Sequence, residues 1–525
     1  MPQYFTPGVY VEEIERGPRP IEGVPTSVAA FLGETERGPL RPRLLTSYND
    51  YKRYYGGIFD PAKFAPYAVN GFFQNGGQEL YMARIVGSKA TTASKAYGAF
   101  TLSAAGPGAW GKNLWVRIQD GTTQDKTGKS AGFRLKLAYW QGGVPPNPLF
   151  DPFDDTRSTP RPQFMEDYDD LYIVPSSANY FKKRLIDSST NDPISALGII
   201  DTTNGGIPSA KPPNTGNTGE LIGGNAADDP GPLTDADFIG AVAGGRTELQ
   251  GMSALELDAY RDVALVYAPH APDNATKIET AIITYCERLK YRFAAIDCDA
   301  VTDPSNLDPR VTNQWDTEYA GFYAPWIQIS DPDTGVATII PPGGHVLGVY
   351  ARTDSERGVF KAPANEIVNA ALDVKFKIND GVQAGINPKG VNAIRSFPGR
   401  GIRIWGARTL SSDTLWKYVS VRRLFIFLER SIYEGTQWVV FEPNDERLWA
   451  RVKDTIRLFL RTQWREGALF GKTEDEAFFI TCDRTTMTQD DILNGRLICE
   501  IGIAPVRPAE FVIFRIFQQT AEVQQ

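Results

Sequence analysis

The sequence predicts a mixed α/β fold spread over several domains. Three observations carry this reading. Before residue 97 and after residue 245, apolar runs of strand length alternate with helix-length amphipathic segments. Between them, 97–245 is dense in Pro, Gly and Asn, as in "DTTNGGIPSAKPPNTGNTGELIGGNAADDPGP", which marks long exposed loops on a peripheral insertion. At 525 residues the chain also exceeds one ordinary domain, so two to four are expected.

The elements follow in chain order. "YFTPGVYVEEI" is strand-like, with Val9 and Val11 alternating with Tyr10 and Glu12. No hairpin turn follows it, only the extended "ERGPRPIEGVPTS". Its backbone groups therefore need a partner strand from elsewhere in this chain or from another molecule. In 26–96, "TSVAAFLGET" and "ELYMARIVG" read as strands around a helix at "APYAVNGFFQNGG". "DVALVYAPH" and "FAAID" are strands flanking a helix with Ile278, Ile282, Tyr285 and Leu289 on one face, a helix packed on a sheet. "SVRRLFIFLERSIYE" is helical, with Val421, Leu424, Phe425, Leu428 and Ile432 on one stripe.

The next helix, "NDERLWARVKDTIRLFLRTQWREGALFG", starts at an Asn444 or Asp445 N-cap and ends before Gly467. Leu448, Val452, Ile456, Phe459 and Leu460 cluster on one side. Arg447, Arg451, Arg457, Arg461 and Arg465 lie roughly opposite, with Asp454 and Leu458 among them. The stripe is either an ordinary solvated face or a cationic ridge aimed at an acidic partner. Near the end, Phe511–Phe517 is strand-like and apolar on both faces: Phe511, Ile513 and Phe517 on one, Val512, Phe514 and Ile516 on the other. Such a strand needs cover on both sides.

Composition narrows the function. A net charge of -8 argues against a nucleic-acid partner. No apolar run approaches the roughly 18 residues that span a bilayer, so no stable membrane insertion is expected. "LFIFL" is flanked by Arg423 and Glu429. No basic segment followed by an apolar one opens the sequence, and folding in a cytoplasm is expected. The cysteines, Cys286, Cys298, Cys482 and Cys499, form no CxxC pair and read as reduced core thiols. Two histidines, His270 and His345, are too few for a site of several imidazoles.

Motifs that imitate chemistry lack their context. "GPGAWG" satisfies G-x-G-x-x-G, but "KNLWVRIQD" continues as a strand, whereas a dinucleotide site needs a helix N-terminus there. "GALFGKT" is one residue short of a phosphate loop and follows a helix, so it reads as a turn. His345 has no nucleophile in an elbow-like turn nearby and reads as a hydrogen-bonded structural histidine. No catalytic, cofactor or metal residues are expected.

Several long segments carry a family likeness: "TPGVYVEEI", "GVYARTDSERGVFKAPAN", "INPKGVNAIRSFPGRGIRIWGARTL", "VSVRRLFIFLERSI", "QWVVFEPNDERLWARV", "GALFGKTEDEAFFITCD" and "IGIAPVRPAEFVIFRI". In order and together, they make the chain resemble contractile tail sheath proteins of phages and phage-tail-like injection systems. The resemblance implies a multidomain α/β subunit. Its expected parts are an N-terminal arm (1–25), a middle domain in two pieces (26–96 and 246–379), an inserted β-rich outer domain (97–245), an inner domain (380–508) and a C-terminal arm (509–525).

Function follows from the same likeness as an expectation: a non-enzymatic subunit polymerising in helically stacked six-fold rings around an inner tube, then contracting to drive the tube through a membrane. The implied partners are other copies of itself, the inner tube protein, and baseplate and terminator or cap proteins. The arms, with Gly8, Val9, Tyr10 and Val11 at one end and Phe511, Val512, Ile513 and Phe514 at the other, would add strands to neighbouring subunits. Pro25 and Pro508 would be stiff hinges. Arg447, Arg451, Arg457 and Arg461 would face an acidic tube. The implied location is a phage tail or tail-like particle assembled in a bacterial cytoplasm. The alternative is a non-contracting structural or adhesive tail protein whose outer domain binds glycans through Tyr139–Trp140 and Phe150–Phe153.

Overall fold

The computed structural model describes residues 20–516, apart from 88, 125, 142–148, 155–160, 189–191, 204, 217, 223–232, 241–249, 270–274 and 301–302. The chain divides into two compact units. Pro25–Arg423 is the larger, and the smaller combines the chain ends, with described residues 20–24 and 424–516.

The larger unit is built on a nine-stranded sheet. Its order is Glu366–Ile367, Gly401–Ile404, Val391–Phe397, Ala320–Ala324, Phe293–Asp297, Leu265–Tyr267, Ala29–Gly33, Leu80–Arg84 and Arg43–Leu45. From Val391–Phe397 through Leu80–Arg84 every pairing is parallel, and the outer pairings at both ends are antiparallel. Parallel strands need helical crossovers, which cover both faces. Ala29–Gly33 is accordingly buried at every residue. Phe31 meets the Phe72 ring of helix Ala65–Gln74 edge-on at 5.5 Å. Leu32, facing the other way, lies with Phe238, Met252, Ile278 and Ile282. Ile278 and Ile282 belong to helix Ala275–Leu289, whose apolar stripe was legible in its periodicity.

Helix Gly343–Arg357 packs against Ala65–Gln74 at unusually close range. A Cβ on Gly344 would sit 2.5 Å from the Ala68 backbone, and one on Gly348 2.5 Å from the Phe72 carbonyl oxygen. Glycine at both places, one turn apart, lets the two backbones meet.

The 93–222 segment folds into two antiparallel sheets that share one apolar core. One has the order Glu220–Leu221, Leu114–Asp120, Phe133–Tyr139, Phe164–Leu171, and the other Ser94–Tyr97, Phe100–Ala104, Gly198–Thr202. The core includes Phe100, Leu114, Phe133, Leu137 and Phe181.

Two expected divisions shift. The inner part was expected to begin at 380. Val391–Phe397 instead extends the large sheet, with Phe322 paired to Val391, and the division between units falls after Arg423. The outer segment was expected to run to 245, but helix Asp235–Ile239 packs against Gly251–Ala254 and Ala275–Leu289.

In the smaller unit, helix Glu446–Arg465 packs on the antiparallel pair Phe478–Thr481 and Glu500–Ile503. Asp445 is the N-cap, its side chain accepting from the Leu448 N–H at 2.9 Å. Phe459 contacts Phe427 with ring centroids 6.0 Å apart. Ile21 is buried beside Gly435, and the Val24 N–H donates to Ser431 Oγ at 3.1 Å.

Candidate assembly surfaces

The expected arm residues Gly8, Val9, Tyr10 and Val11 lie outside the described residues. At the other end, Phe511, Val512, Ile513 and Phe514 are 71, 68, 78 and 84% exposed and belong to no strand. Within one chain the segment, expected to need cover on both faces, is extended apolar surface. Upstream it is anchored. The Phe470 N–H donates to Ala504 O at 2.8 Å and the Val506 N–H to Ala468 O at 3.2 Å, after which Pro508 intervenes. Among the described residues the sheet beside it has two strands, so each strand keeps one edge without a ladder partner. Two strands alone are a marginal sheet in water. Phe479, on the side turned away from the helix, is 59% exposed.

The arginine stripe is real but partly neutralised within the chain. Leu448, Val452, Ile456, Phe459 and Leu460 are buried, while Arg447, Arg451 and Arg457 are exposed and Arg461 is half-buried. Arg457 and Arg461 share the Glu474 carboxylate at 3.2 and 2.6 Å. The Arg461 hydrogen bond holds the Glu474 carboxyl below its ordinary range. Arg451 lies over the Trp438 ring at 4.6 Å, with Glu442 at 3.8 Å. Arg447 has no ion pair among the described residues. Sequence periodicity found the stripe but missed Glu474, which reaches it only because the chain turns back after Gly467.

Pro25 is exposed, and the division between the two units falls immediately before it. Just after it, within the larger unit, the Thr26 hydroxyl donates to Asp354 Oδ2 at 2.7 Å and Arg423 Nη2 donates to Thr26 O at 2.9 Å. Arg423 and Asp354 form an ion pair whose side chains are 3 and 5% exposed.

Sites that imitate ligand chemistry are filled or buried. In a parallel sheet, ligands bind outside the carboxyl ends of the strands where the strand order reverses, here between Ala29–Gly33 and Leu265–Tyr267. At that end the Tyr267 hydroxyl donates to Asp297 Oδ2 at 2.6 Å, and the Gly343 N–H to Asp297 Oδ1 at 2.9 Å. The protein's own carboxylate thus occupies the helix N-terminus that a phosphate would take. "GPGAWG" leads through a single 3-10 turn into strand Leu114–Asp120, in keeping with the missing helix.

His345 is buried, as expected of a structural residue. It is not hydrogen-bonded, however: neither ring nitrogen has a partner among the described residues, and burial lowers its pKa to about 4. The aromatics proposed for glycan contact are also corrected. Tyr139, Trp140 and Phe150 are buried, Tyr139 donates to Glu36 Oε1 at 2.8 Å, and Phe153 packs against Trp115. They form the outer segment's core, so they offer no binding platform.

Comparison with known proteins decides between a sheath and an unrelated α/β protein. A family model described as the phage tail sheath protein central domain matches 241–410, and one described as the phage tail sheath C-terminal domain matches 411–519. Together these abutting matches cover more than half of the chain. The chain belongs to the contractile tail sheath family. A protein of Pseudomonas aeruginosa (strain UCBPP-PA14) named as a prophage major tail sheath protein is 26% identical over 302 residues, 56% of this chain and 75% of its own. The tail sheath protein of Burkholderia phage BcepMu is 26% identical over 261 residues, 46% of this chain and 54% of its own length. In structure, the chain is similar to the sheath of the extracellular contractile injection system PVC in its contracted state. There the TM-score is 0.59 and the identity 22%, covering 99% of both chains. The sheath fold therefore extends over the outer segment, which neither family model reaches.

Proposed function

We propose that this contractile sheath subunit polymerises into helically stacked six-fold rings around an inner tube and shortens to drive that tube through a target membrane. The observation that carries the reading is the smaller unit's sheet, two-stranded and open at its edges among the described residues, beside an exposed apolar C-terminal segment. Strands added from neighbouring copies would satisfy those edges and cover Phe511, Val512, Ile513 and Phe514. A head-to-tail contact that does not close on itself propagates as a helix. In this reading, residues 5–14 and 509–517 are the arms, and Pro25 and Pro508 limit how they bend. Arg447, Arg451, Arg457 and Arg461 face an acidic tube. Because Glu474 already shares two of these cations, the contact is weak per residue, about 0–1 kcal/mol each, which suits a surface that must release. The tube, baseplate and terminator proteins are the further partners. Assembly takes place in the bacterial cytoplasm, and the particle is a phage tail or tail-like injector.

Electron microscopy of the purified protein tests this directly: helical tubes or stacked rings are expected, and a discrete monomer at high concentration would overturn it. Deleting residues 1–13 should leave soluble subunits that no longer polymerise. Reversing the charge at Arg451 and Arg457 should abolish assembly on the tube, and normal assembly would remove that helix from the tube contact.

A further inference from the structure

Cys482 and Cys499 lie 17 positions apart in the sequence, and neither is in a recognisable motif. The fold brings them face to face. Strands Phe478–Thr481 and Glu500–Ile503 are antiparallel, with Phe478 opposite Ile503 and Thr481 opposite Glu500. One step further along the same register sets Cys482 opposite Cys499. The Ala504 N–H donates to Ala477 O at 2.9 Å, which makes Ala477 and Ala504 a hydrogen-bonded pair. Because pair types alternate along an antiparallel ladder, Thr481 and Glu500 are again hydrogen-bonded, and Cys482 and Cys499 occupy a non-hydrogen-bonded place. Cα atoms in such pairs are about 4.5 Å apart, within the range of about 4.4–6.8 Å that a disulfide bridges.

The side chains bear this out. Cys482 points to the same face as Phe478 and Ile480, both buried towards the helix. The register sets the Cys499 side chain beside it on that face. The neighbouring Cys499 thiol, with the Lys453 ammonium nearby, draws the Cys482 thiol below its ordinary value, while the same contact and burial push the Cys499 thiol up. Cys482 is buried whereas Cys499 is half-buried, so a reagent in solution meets Cys499 first. Cys286 and Cys298 are both buried, and burial pushes their thiols up.

We propose that Cys482 and Cys499 are a redox-sensitive pair that a small disulfide oxidant, such as oxidised glutathione, converts into a cross-strand disulfide. The pair first loses one proton to water, leaving the thiolate on Cys482; the more accessible Cys499 then passes its proton to that thiolate and, as thiolate itself, attacks one sulfur of the oxidant. One glutathione thiolate leaves, and a mixed disulfide remains on Cys499. Cys482, as thiolate, then attacks Cys499 Sγ and expels the second glutathione thiolate. In balance, two protein thiols are oxidised to one disulfide, and one glutathione disulfide is reduced to two thiols. The staple closes residues 483–498 into a loop and pins the strand from which the exposed 511–516 segment departs. This inference goes beyond the sheath reading and does not depend on it.

The test treats the folded, full-length protein with oxidised glutathione, blocks free thiols and maps non-reduced tryptic peptides. Peptides Thr473–Arg484 and Leu497–Arg515 should be joined and should separate on reduction, while Cys286 and Cys298 react only after denaturation. Free Cys482 and Cys499, or a glutathione adduct at Cys499 that never resolves into the link, would overturn the proposal. In Cys482→Ser the adduct at Cys499 should persist, and its absence would refute Cys499 as the entry sulfur.

Discussion

Asp354 and Arg423 offer the sharpest perturbation. The Asp354 carboxylate accepts from both terminal nitrogens of Arg423, with one contact at 2.9 Å, and from the Thr26 hydroxyl at 2.7 Å. Both charged side chains are almost wholly removed from water. Among the described residues, Asp354→Ala leaves a buried guanidinium with the Tyr350 ring, 4.8 Å from its centre, and the Thr26 carbonyl but no carboxylate. Breaking one side of such a pair costs about 3–5 kcal/mol. Unfolding entropy near 2.1 cal/mol/K per residue gives a roughly 400-residue unit about 0.8 kcal/mol/K. A loss of about 4 kcal/mol then lowers the melting midpoint by about 5 °C if the unit melts as one. Differential scanning calorimetry of Asp354→Ala, Arg423→Met and the double variant measures this. The double variant should regain most of the loss, because replacing both charges removes the unpaired ion. A drop of less than about 1 °C in Asp354→Ala, or a double variant that melts at or below the lower single, would refute the buried-pair reasoning.

Two further outcomes follow. His345 is held neutral, its pKa lowered by burial from 6.5 to about 4. Its contribution is therefore complete above pH 6.5 and is lost as pH falls towards 4, because the unfolded chain takes the proton first. At about 1.36 kcal/mol per unit the loss is up to about 3 kcal/mol. His345→Leu should be less acid-sensitive across that window in urea titrations, and an unchanged difference between pH 7 and pH 4 would exclude the assignment. Gly348→Ala places a methyl 2.5 Å from the Phe72 carbonyl oxygen. The overpacking cost of about 1–3 kcal/mol should outweigh the gain in helix propensity of at most about 1 kcal/mol. Chemical denaturation should show net loss, and a stabilised variant would mean that the two helices separate freely.

Much of the local structure was legible because it rests on near neighbours. The stripe from Leu448 to Leu460 repeats at helical spacing, and Asp445 caps a segment only three residues away. The central strands read as apolar runs because parallel strands are buried on both faces. Other features depend on residues far apart in the sequence and left no local signal. Glu474 reaches Arg461 through a turn, and Asp354 meets Arg423 across 69 positions. Tyr139 and Trp140 look alike on a list of aromatics whether they line a binding site or fill a core. The periodicity of 391–404 could not say which sheet it joins.

By itself, then, the sequence determined the α/β class, the amphipathic helices, the arginine stripe, the apolar C-terminal segment and the sheath likeness. The tertiary structure alone decided that the outer aromatics are core, that Asp297 fills the helix N-terminus, that among the described residues the sheet near the chain's end has two strands, and that Cys482 faces Cys499. Periodicity records which side of an element avoids water. Which distant residue supplies the cover is set only when the chain closes its long loops, and no local pattern encodes that choice.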